Sequence, residues 1–323
     1  MQYEENGRII QGVGGLFEVA LDKGDTPLSC ARVAARAKGN FRHAGVTPLP
    51  GDRVRIAFDD TAVSGEQSGS KDGGGAVITQ ILPRKNALIR PPMANLDILL
   101  ITLAAAKPAP VLETVDKLIA IAEYNGISPV LVIGKSDVDP DHARELRRIY
   151  ELAGFPVFPL CAKRGEGVEE LRAYLCREME GKTAAFAGAS GVGKSTLLNA
   201  LFPSLSLATG AISERIARGK HTTRMVCLYP VDGVENAYIA DTPGFSMLDF
   251  VRFDFFKRED LPHTMREFAP YIGGCRYTKC THTKEQECAV LEAVREGSIA
   301  KTRHESYCAM FDALKNKHDW SRK

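Results

Sequence analysis

The chain has 323 residues, of which 44% are hydrophobic and 25% are charged, and its formal net charge is +2. This is ordinary globular composition with enough length for two or three domains. No apolar run reaches about 18 residues, so no membrane span is expected, and the small net charge does not by itself indicate an acidic partner. The first residues lack the basic-then-apolar order of a secretory signal, which predicts a cytoplasmic protein.

The N-terminal part of the chain has the pattern of a small β-barrel. Short β-like runs broken by glycine and proline occur at residues 7–11, 15–20, 52–58 and 76–82, which predicts a barrel over residues 1–85. Residues 12–15 are read as a turn and not as a dinucleotide fingerprint, because no βαβ unit surrounds them. Residues 60–75 are interpreted as a Gly/Ser-rich insertion between strands, and residues 83–92 as a linker.

Basic residues surround an aromatic side chain in the barrel. Lys38 and Arg42 flank Phe41, a pattern typical of the nucleic-acid-binding faces of small barrels. A solvated hairpin explains the same residues equally well, so both readings stay open.

The middle of the chain alternates apolar strands with helical segments. Strands are predicted at residues 97–103, 129–133, 156–160, 183–187, 225–229 and 237–240, and helices at 111–125, 141–153, 168–180 and 196–201. This alternation predicts a mostly parallel, doubly wound α/β domain over residues 86–248. From residue 249 to 323 the sequence is mainly helical, with a closing helix at 298–317.

Residues 188–195 carry the phosphate-loop pattern Gly-x-x-x-x-Gly-Lys-Ser between a strand and a helix. Glycines let successive backbone N–H groups point at phosphate oxygens, and the helix start adds its positive dipole end. Lys194 is predicted to reach the β- and γ-phosphates, and Ser195 to hold Mg²⁺. The alternative is a glycine-rich turn without a ligand. The predicted phosphate-binding residues are Gly188, Ala189, Ser190, Gly191, Val192, Gly193, Lys194, Ser195 and Thr196.

Two short motifs before the phosphate loop predict guanine recognition. Gly134, Lys135, Ser136 and Asp137 follow a strand, where guanine-nucleotide proteins carry Asn-Lys-x-Asp. The Asp carboxylate accepts from guanine N1–H and the 2-amino group, while the Lys stem packs on the base. Gly134 replaces the Asn, which predicts weaker or less ordered nucleotide binding. After the next strand, a loop expected to contact guanine O6 through backbone N–H consists of Cys161, Ala162 and Lys163.

Segments after the phosphate loop have the character of nucleotide switches. Asp241 and Gly244 follow a strand and are predicted to face Mg²⁺ and the γ-phosphate. Thr222 or Thr223 is predicted to offer a hydroxyl to Mg²⁺. Phe245 stands where Ras-like enzymes carry a water-orienting Gln, so His221 is the candidate to position the attacking water. His221 is equally well explained as an exposed loop residue or an RNA contact.

Three cysteines and one histidine lie close together near the C-terminus. Soft and borderline ligands at this spacing suit a closed, tetrahedral, structural zinc site, and unrelated buried thiols are the alternative. The predicted zinc ligands are Cys275, Cys280, His282 and Cys288.

The order of these motifs is permuted, because the base-reading loops at residues 134–137 and 161–163 precede the phosphate loop. With a barrel before the domain, Gly-Lys-His-Thr-Thr at 219–223 and Cys-x4-Cys-x-His-x5-Cys after it, the chain resembles the ribosome small-subunit-dependent GTPase A (RsgA) family over nearly its whole length. The resemblance implies an OB-fold barrel, a circularly permuted P-loop GTPase domain and a zinc domain. It also implies binding to the 30S subunit and its 16S rRNA late in assembly, with GTP hydrolysis stimulated by that subunit.

Two rival functions remain at this point. A P-loop ATPase or kinase would use the same phosphate loop, and Gly134 favours it slightly. An RNA-binding scaffold would use nucleotide only as a structural ligand. Nothing in the sequence indicates an obligate oligomer, so a monomer is expected.

Overall fold

The computed structural model describes residues 2–22, 32–39, 41, 45–59, 76–89, 91–203, 226–241 and 257–315. The chain divides into two compact units. The first lies within Met1–Asp97, Glu178–Ala185 and Leu207–Gly244, and the second within Ile98–Arg177, Phe186–Ser206 and Phe245–Lys323. Across the described ranges, no helix has both the length and the apolar character needed to cross a membrane.

A closed five-stranded barrel forms much of the first unit. Its strands are β1 (Gln2–Val13), β2 (Leu16–Leu21), β3 (Arg32–Ala37), β4 (Arg53–Asp59) and β5 (Ala76–Ile81). They follow the order β1-β2-β3-β5-β4, and β1 also pairs with β4 to close the barrel. Alternate side chains fill the interior, including Ile9, Val19 and Ile56, which are 0% exposed. The predicted barrel is confirmed, and its five strands match the OB-fold architecture.

The turn between β1 and β2 shows why the glycine cluster at residues 12–15 belongs to a hairpin. Val13 pairs with Leu16, which leaves Gly14 and Gly15 as a two-residue loop. Both have positive φ, at 58° and 87°, as the tight hairpin turn requires. The interpretation as a turn is confirmed.

One expectation for this region is wrong, and one strand was not singled out in the sequence. That strand is β3, whose two buried positions hold Val33 and the small side chain of Ala35 and so carry little hydrophobic signal. Residues 83–92 were expected to form a linker. Instead, the short strands β6 (Ala87–Ile89) and β7 (Pro92–Ala94) pair as an antiparallel hairpin that begins in this segment and ends two residues after it. The expected insertion at 60–75 and residues 42–44 lie outside the described part of the chain.

A six-stranded sheet has the order β10-β9-β8-β11-β13-β12. Its strands are β8 (Ile98–Ala104), β9 (Ser128–Gly134), β10 (Val157–Pro159), β11 (Thr183–Ala187), β12 (Cys227–Pro230) and β13 (Tyr238–Asp241). β8 is buried at all of its positions, as its continuous apolar sequence predicts. The sheet is mostly parallel, and β12 runs antiparallel to β13.

Helices alternate with these strands in the second unit. They are α1 (Leu112–Tyr124), α2 (Pro140–Leu152), α3 (Val168–Glu178) and α4 (Lys194–Leu201), each within a few residues of its predicted bounds. α2 shows a local reason for its start. Asp139 accepts a hydrogen bond from the backbone N–H of His142, and Pro140 occupies the first turn, where its missing N–H costs nothing.

The C-terminal part of the second unit is helical and irregular. Two 3-10 helices (Arg258–Thr264 and Arg266–Phe268) precede α5 (Ala289–Arg295) and α6 (Lys301–Lys315). Their core includes Phe268, Tyr307 and Met310, each 0% exposed, and it packs against Ala120 and Ile121 of α1. α6 is the predicted closing helix, and it ends the described part of the chain.

Candidate functional site

The phosphate loop connects β11 to α4, as its sequence pattern predicts. Gly188 has φ of 138°, and a Cβ there would lie 2.1 Å from the carbonyl oxygen of Thr102 on β8, so only glycine fits. Gly193 has φ of 104° and caps α4 with its backbone. The loop therefore brings the N-terminus of α4, with its free N–H groups, to the end of β11.

Lys194 is oriented by the phosphate loop itself. Its Nζ donates to the carbonyl oxygens of Gly188 at 2.6 Å and of Ala189 at 2.8 Å. Partial burial lowers the pKa of Lys194 from its ordinary value. The ammonium group is thus held against the loop by two backbone acceptors.

Lys135 links the first base-reading loop to the phosphate loop. Lys135 has a φ of 58°. Its Nζ donates to the carbonyl oxygen of Gly191 at 3.2 Å and to that of Lys107 at 2.5 Å. These contacts bring the end of β9 and the phosphate loop together through one side chain. Lys135 also lines the cavity described below.

Gly134 lies directly against the phosphate loop. A Cβ at this position would be 3.3 Å from the carbonyl oxygen of Val192 and 3.6 Å from that of Leu103. The φ of Gly134 is not in the left-handed region, so the backbone does not require glycine. An Asn here would bring its amide close to the Val192 carbonyl, and Gly134 gives up that possible hydrogen bond between the two loops.

The second base-reading loop is a tight turn after β10. Cys161 and Glu166 form an isolated β-bridge, with the Cys161 N–H donating to the Glu166 carbonyl at 2.9 Å. The N–H of Ser136 donates to the Leu160 carbonyl at 3.3 Å, which joins the two base-reading loops. A hydrogen bond from the Cys161 side chain lowers the pKa of the Asp137 carboxyl, so this group is an anion at neutral pH.

These loops surround one cavity of about 400 Å³. It is a concave site with both apolar walls and convergent polar groups, the usual form of a small-ligand site. Of the predicted nucleotide-binding residues, those that line it are Gly134, Lys135, Asp137, Cys161, Ala162, Lys163, Gly191, Val192, Gly193 and Thr196. Three separate sequence motifs therefore converge on one pocket.

Several predicted residues have no described side chain. Asp241 is the last residue of β13, and its backbone alone is described. His221, Thr222, Thr223 and Gly244 lie outside the described residues, as does Phe245. Their roles stay predictions from the sequence.

The four predicted zinc ligands lie together near the C-terminus. Their ligand atoms are all within 4.8 Å of one another. Zinc bonds of about 2.3 Å to sulfur and about 2.0 Å to nitrogen imply, for a tetrahedron, S–S separations of about 3.8 Å and S–N separations of about 3.5 Å. Cys275 Sγ lies 3.8 Å from Cys288 Sγ, and His282 Nδ1 lies 3.5 Å from each of these sulfurs. The geometry fits one tetrahedral ion.

A carboxylate shapes the loop that carries these ligands. Glu285 accepts hydrogen bonds from the backbone N–H of Thr281 at 2.9 Å, of Thr283 at 3.0 Å and of Lys284 at 3.1 Å, and from the Thr281 hydroxyl. Burial alone would raise the pKa of Glu285, but these donors lower it to about 2. The ionised side chain fixes the backbone between Cys280 and Cys288.

α6 supports the same loop from outside. His304 Nε2 donates to the carbonyl oxygen of His282 at 2.8 Å, and the Tyr307 hydroxyl donates to that of Thr281 at 2.6 Å. Burial raises the pKa of Tyr307, which keeps its hydroxyl protonated as a donor. The loop therefore depends on a helix about twenty residues further along the chain for its shape.

α6 is also tied to α1 by a buried ionic group. Arg303 is 0% exposed, and its Nη1 donates to Asp116 at 2.6 Å while its Nε donates to Glu267 at 2.7 Å. Burial opposes the charge of Arg303, but the two carboxylates raise its pKa above the ordinary value. Sequence reasoning did not find Glu285, Arg303, His304 or Tyr307, because no local spacing marks contacts between distant segments.

Two family models match the chain. The model described as RsgA GTPase matches residues 81–251, and the one described as RsgA N-terminal domain matches residues 6–64. The two matches follow the same order as the barrel and the nucleotide-binding loops.

Curated relatives match along almost the whole length. The protein named small ribosomal subunit biogenesis GTPase RsgA from Agathobacter rectalis is 38% identical over 319 residues, which covers 97% of this chain and 99% of the relative. The protein of the same name from Caldanaerobacter subterraneus subsp. tengcongensis is 38% identical over 312 residues, with 96% of each chain covered.

Solved structures show the same fold. YjeQ from Thermotoga maritima superposes with a TM-score of 0.77 at 31% identity and covers 98% of this chain and 100% of its own. YloQ, described as a circularly permuted GTPase, has a TM-score of 0.73 at 28% identity, with 98% and 96% covered.

Proposed function

This chain belongs to the RsgA GTPase family, and we propose that its base-reading loops and its phosphate loop together bind Mg²⁺–GTP. As a member of that family it is a GTP-hydrolysing enzyme that acts in maturation of the small ribosomal subunit. The observation that carries the binding proposal is the single cavity of about 400 Å³ lined by residues of all three loops.

The phosphates bind at residues 188–196. Backbone N–H groups of the loop and the N-terminus of α4 hold phosphate oxygens, and Lys194 reaches the β- and γ-phosphates. The Ser195 hydroxyl would hold Mg²⁺, which would neutralise phosphate charge when it is bound with the nucleotide. Two backbone carbonyls already hold the Lys194 ammonium at this loop, which supports the assignment.

The guanine base binds between the two loops before the phosphate loop. Asp137 accepts from N1–H and the 2-amino group, the stem of Lys135 packs on the base, and the backbone N–H of Ala162 donates to O6. Asp137→Asn should shift preference toward xanthine nucleotides, which carry an oxygen in place of the amino group. An unchanged preference for guanine would refute the assignment of this loop.

The hydrolytic roles rest on the sequence alone. Asp241 and Gly244 would face Mg²⁺ and the γ-phosphate, Thr222 or Thr223 would offer a hydroxyl to Mg²⁺, and His221 would position the attacking water. His221→Ala should lower subunit-stimulated turnover while GTP affinity stays nearly the same. Equal stimulated turnover in this variant would remove His221 from the mechanism.

The C-terminal cluster would hold one structural zinc ion. Three sulfurs and one imidazole nitrogen fill all four positions of a tetrahedron, so no position is left for a substrate. The separations of the ligand atoms support this ion, which would stabilise a loop with little apolar core of its own. Metal analysis of the purified protein should give one zinc per chain.

We extend the proposal to the partners and the domain boundaries. Residues 1–85 form the barrel, 86–248 the permuted GTPase domain and 249–323 the zinc domain. The barrel and the zinc domain bind 16S rRNA of the 30S subunit. The protein acts as a monomer in the cytoplasm. The relatives' printed name, small ribosomal subunit biogenesis GTPase, supports the choice of this partner.

The deciding experiment is GTP turnover with and without purified 30S subunits. We expect slow turnover alone and faster turnover with the subunit, and unchanged turnover would refute coupling. Competition of GDP and ADP for a fluorescent nucleotide separates this function from a P-loop ATPase or kinase. An RNA-binding scaffold would instead bind the subunit equally well with GTP and GDP.

A further inference from the structure

An arginine of the second base-reading loop contacts the carboxylate that reads the base. Arg164 Nη2 lies 3.2 Å from Asp137 Oδ2, and its Nε lies 3.2 Å from Glu166 Oε1. The Asp137 side chain is 21% exposed and that of Arg164 is 55% exposed. The guanidinium group is therefore shared between two carboxylates at the edge of the nucleotide cavity.

The loop backbone keeps Arg164 in this position. The Arg164 N–H donates to the Cys161 carbonyl at 3.1 Å, inside the turn that the Cys161–Glu166 bridge closes. A hydrogen bond with the Cys161 side chain and the charge of Glu166 also raise the pKa of Arg164. The cation thus stays beside Asp137 through local contacts.

Asp137 does not need this cation in order to be ionised. A free aspartate already has a pKa near 4, and the Cys161 hydrogen bond is the main cause that lowers the pKa of Asp137 further. At neutral pH, Arg164 therefore does not increase the ionised fraction of Asp137. It occupies part of the acceptor capacity of Asp137, a residue that lines the cavity, and places a positive charge beside this carboxylate.

We propose that Arg164 is a specificity-determining residue that competes with guanine for Asp137 and so weakens guanine nucleotide binding and guanine selectivity. The inference rests on the proposed function of this pocket. An Arg cation opposes the two donors of guanine but can donate to the 2-oxygen of xanthine, so it lowers the discrimination between these bases. Glu166 competes for the same guanidinium group and limits the effect.

The test measures dissociation constants of GDP and xanthosine diphosphate for the native chain and for Arg164→Ala and Arg164→Gln. Both variants should bind GDP about two- to fivefold more tightly, the range expected for loss of one exposed ion pair. They should bind xanthosine diphosphate no more tightly than the native chain does. Because salt screens exposed charges, the difference between native and variant should shrink as KCl is raised.

Two further variants sharpen the result. Glu166→Gln releases Arg164 toward Asp137 and should weaken GDP binding, a change of opposite sign. Arg147→Ala is the matched control, because Arg147 pairs with Glu151 on the exposed face of α2 and should leave both constants unchanged.

The outcomes distinguish this inference from the proposed function. If the native chain binds GDP in preference to ADP but Arg164→Ala binds GDP no more tightly, the inference is wrong and the guanine site stands. If the native chain shows no preference for GDP over ADP, the assigned base site fails, and the inference fails with it.

Discussion

Replacing Arg303 with methionine tests the buried ionic group that ties α6 to α1. Arg303 lies between Asp116 and Glu267, and all three residues are at most 8% exposed. Methionine approximates the length of the arginine stem, and the Met265 sulfur already lies 3.8 Å from Arg303 Nη2, so an apolar side chain has a neighbour to pack on. The substitution leaves two buried carboxylates without their cation.

The expected loss is large for one side chain. Removing one partner of a buried ion pair typically costs about 3–5 kcal/mol, because the remaining charge stays desolvated. A whole domain is stable by only about 5–15 kcal/mol, so the variant should unfold at much lower urea concentration. In the native chain, burial already raises the pKa of Asp116 even though Arg303 is adjacent, and the variant should raise it further.

This pKa shift gives the loss a pH dependence. A carboxyl group whose folded pKa lies above its unfolded value favours the folded state while it is protonated, and this contribution disappears as pH rises through the folded pKa. The destabilisation of Arg303→Met should therefore be larger at neutral pH than in mild acid, where Asp116 can bind a proton.

Urea unfolding of the zinc-saturated protein, followed by circular dichroism at neutral and mildly acidic pH, measures both effects. Arg295→Met is the control, because Arg295 is 63% exposed and pairs with Glu292 within α5, where an ion pair contributes less than about 1 kcal/mol. An equal loss of unfolding free energy at the two pH values would refute the explanation that the buried carboxylates are left without their cation. A loss as small as that of the control would refute the role of Arg303 altogether.

Three other predictions concern the site. Gly134→Asn should bind GDP about two- to tenfold more tightly, since one neutral hydrogen bond from its amide to the Val192 carbonyl contributes about 0.5–1.5 kcal/mol. Gly134→Ala is the control. A competition assay that finds equal GDP affinities for the Asn and Ala variants would contradict this hydrogen bond. Gly188→Ala should abolish GDP binding because its Cβ would lie 2.1 Å from a backbone oxygen, whereas Gly126→Ala, which has positive φ but open space around the Cβ, should bind GDP normally in the same assay. Cys280→Ser should lose zinc in metal analysis and expose residues 257–315 to trypsin while GDP binding persists; retained zinc would show that Cys280 is not a ligand.

The parts predicted well from the sequence are those with short-range signals. The phosphate loop and the cluster of three cysteines and one histidine follow fixed spacings, and β8 is a continuous apolar run, so each is recognisable within about a dozen residues. The two base-reading loops and the phosphate loop converge on one pocket because the strands that precede them run parallel.

The parts missed depend on contacts between distant segments. β3 reads Arg-Val-Ala-Ala-Arg-Ala and becomes a strand through pairing with β2 and β5, although its own hydrophobic pattern is weak. Arg164 looks like any exposed loop arginine until β9 and β10 bring Asp137 beside it. The two carboxylates that pair with Arg303 lie far away along the chain, at separations of 36 and 187 residues.

The 187-residue separation between Arg303 and Asp116 affects how the chain folds while it is being synthesised. Chains emerge from the ribosome N-terminus first, so α1 with Asp116, both base-reading loops and the phosphate loop are all made before α6. A chain that ends before Arg303 contains all the residues that line the cavity of about 400 Å³ but has two acidic groups with no cation to neutralise them on burial. The second unit therefore reaches its final stability only when α6 has been made, and truncated products should be the ones that proteases remove first.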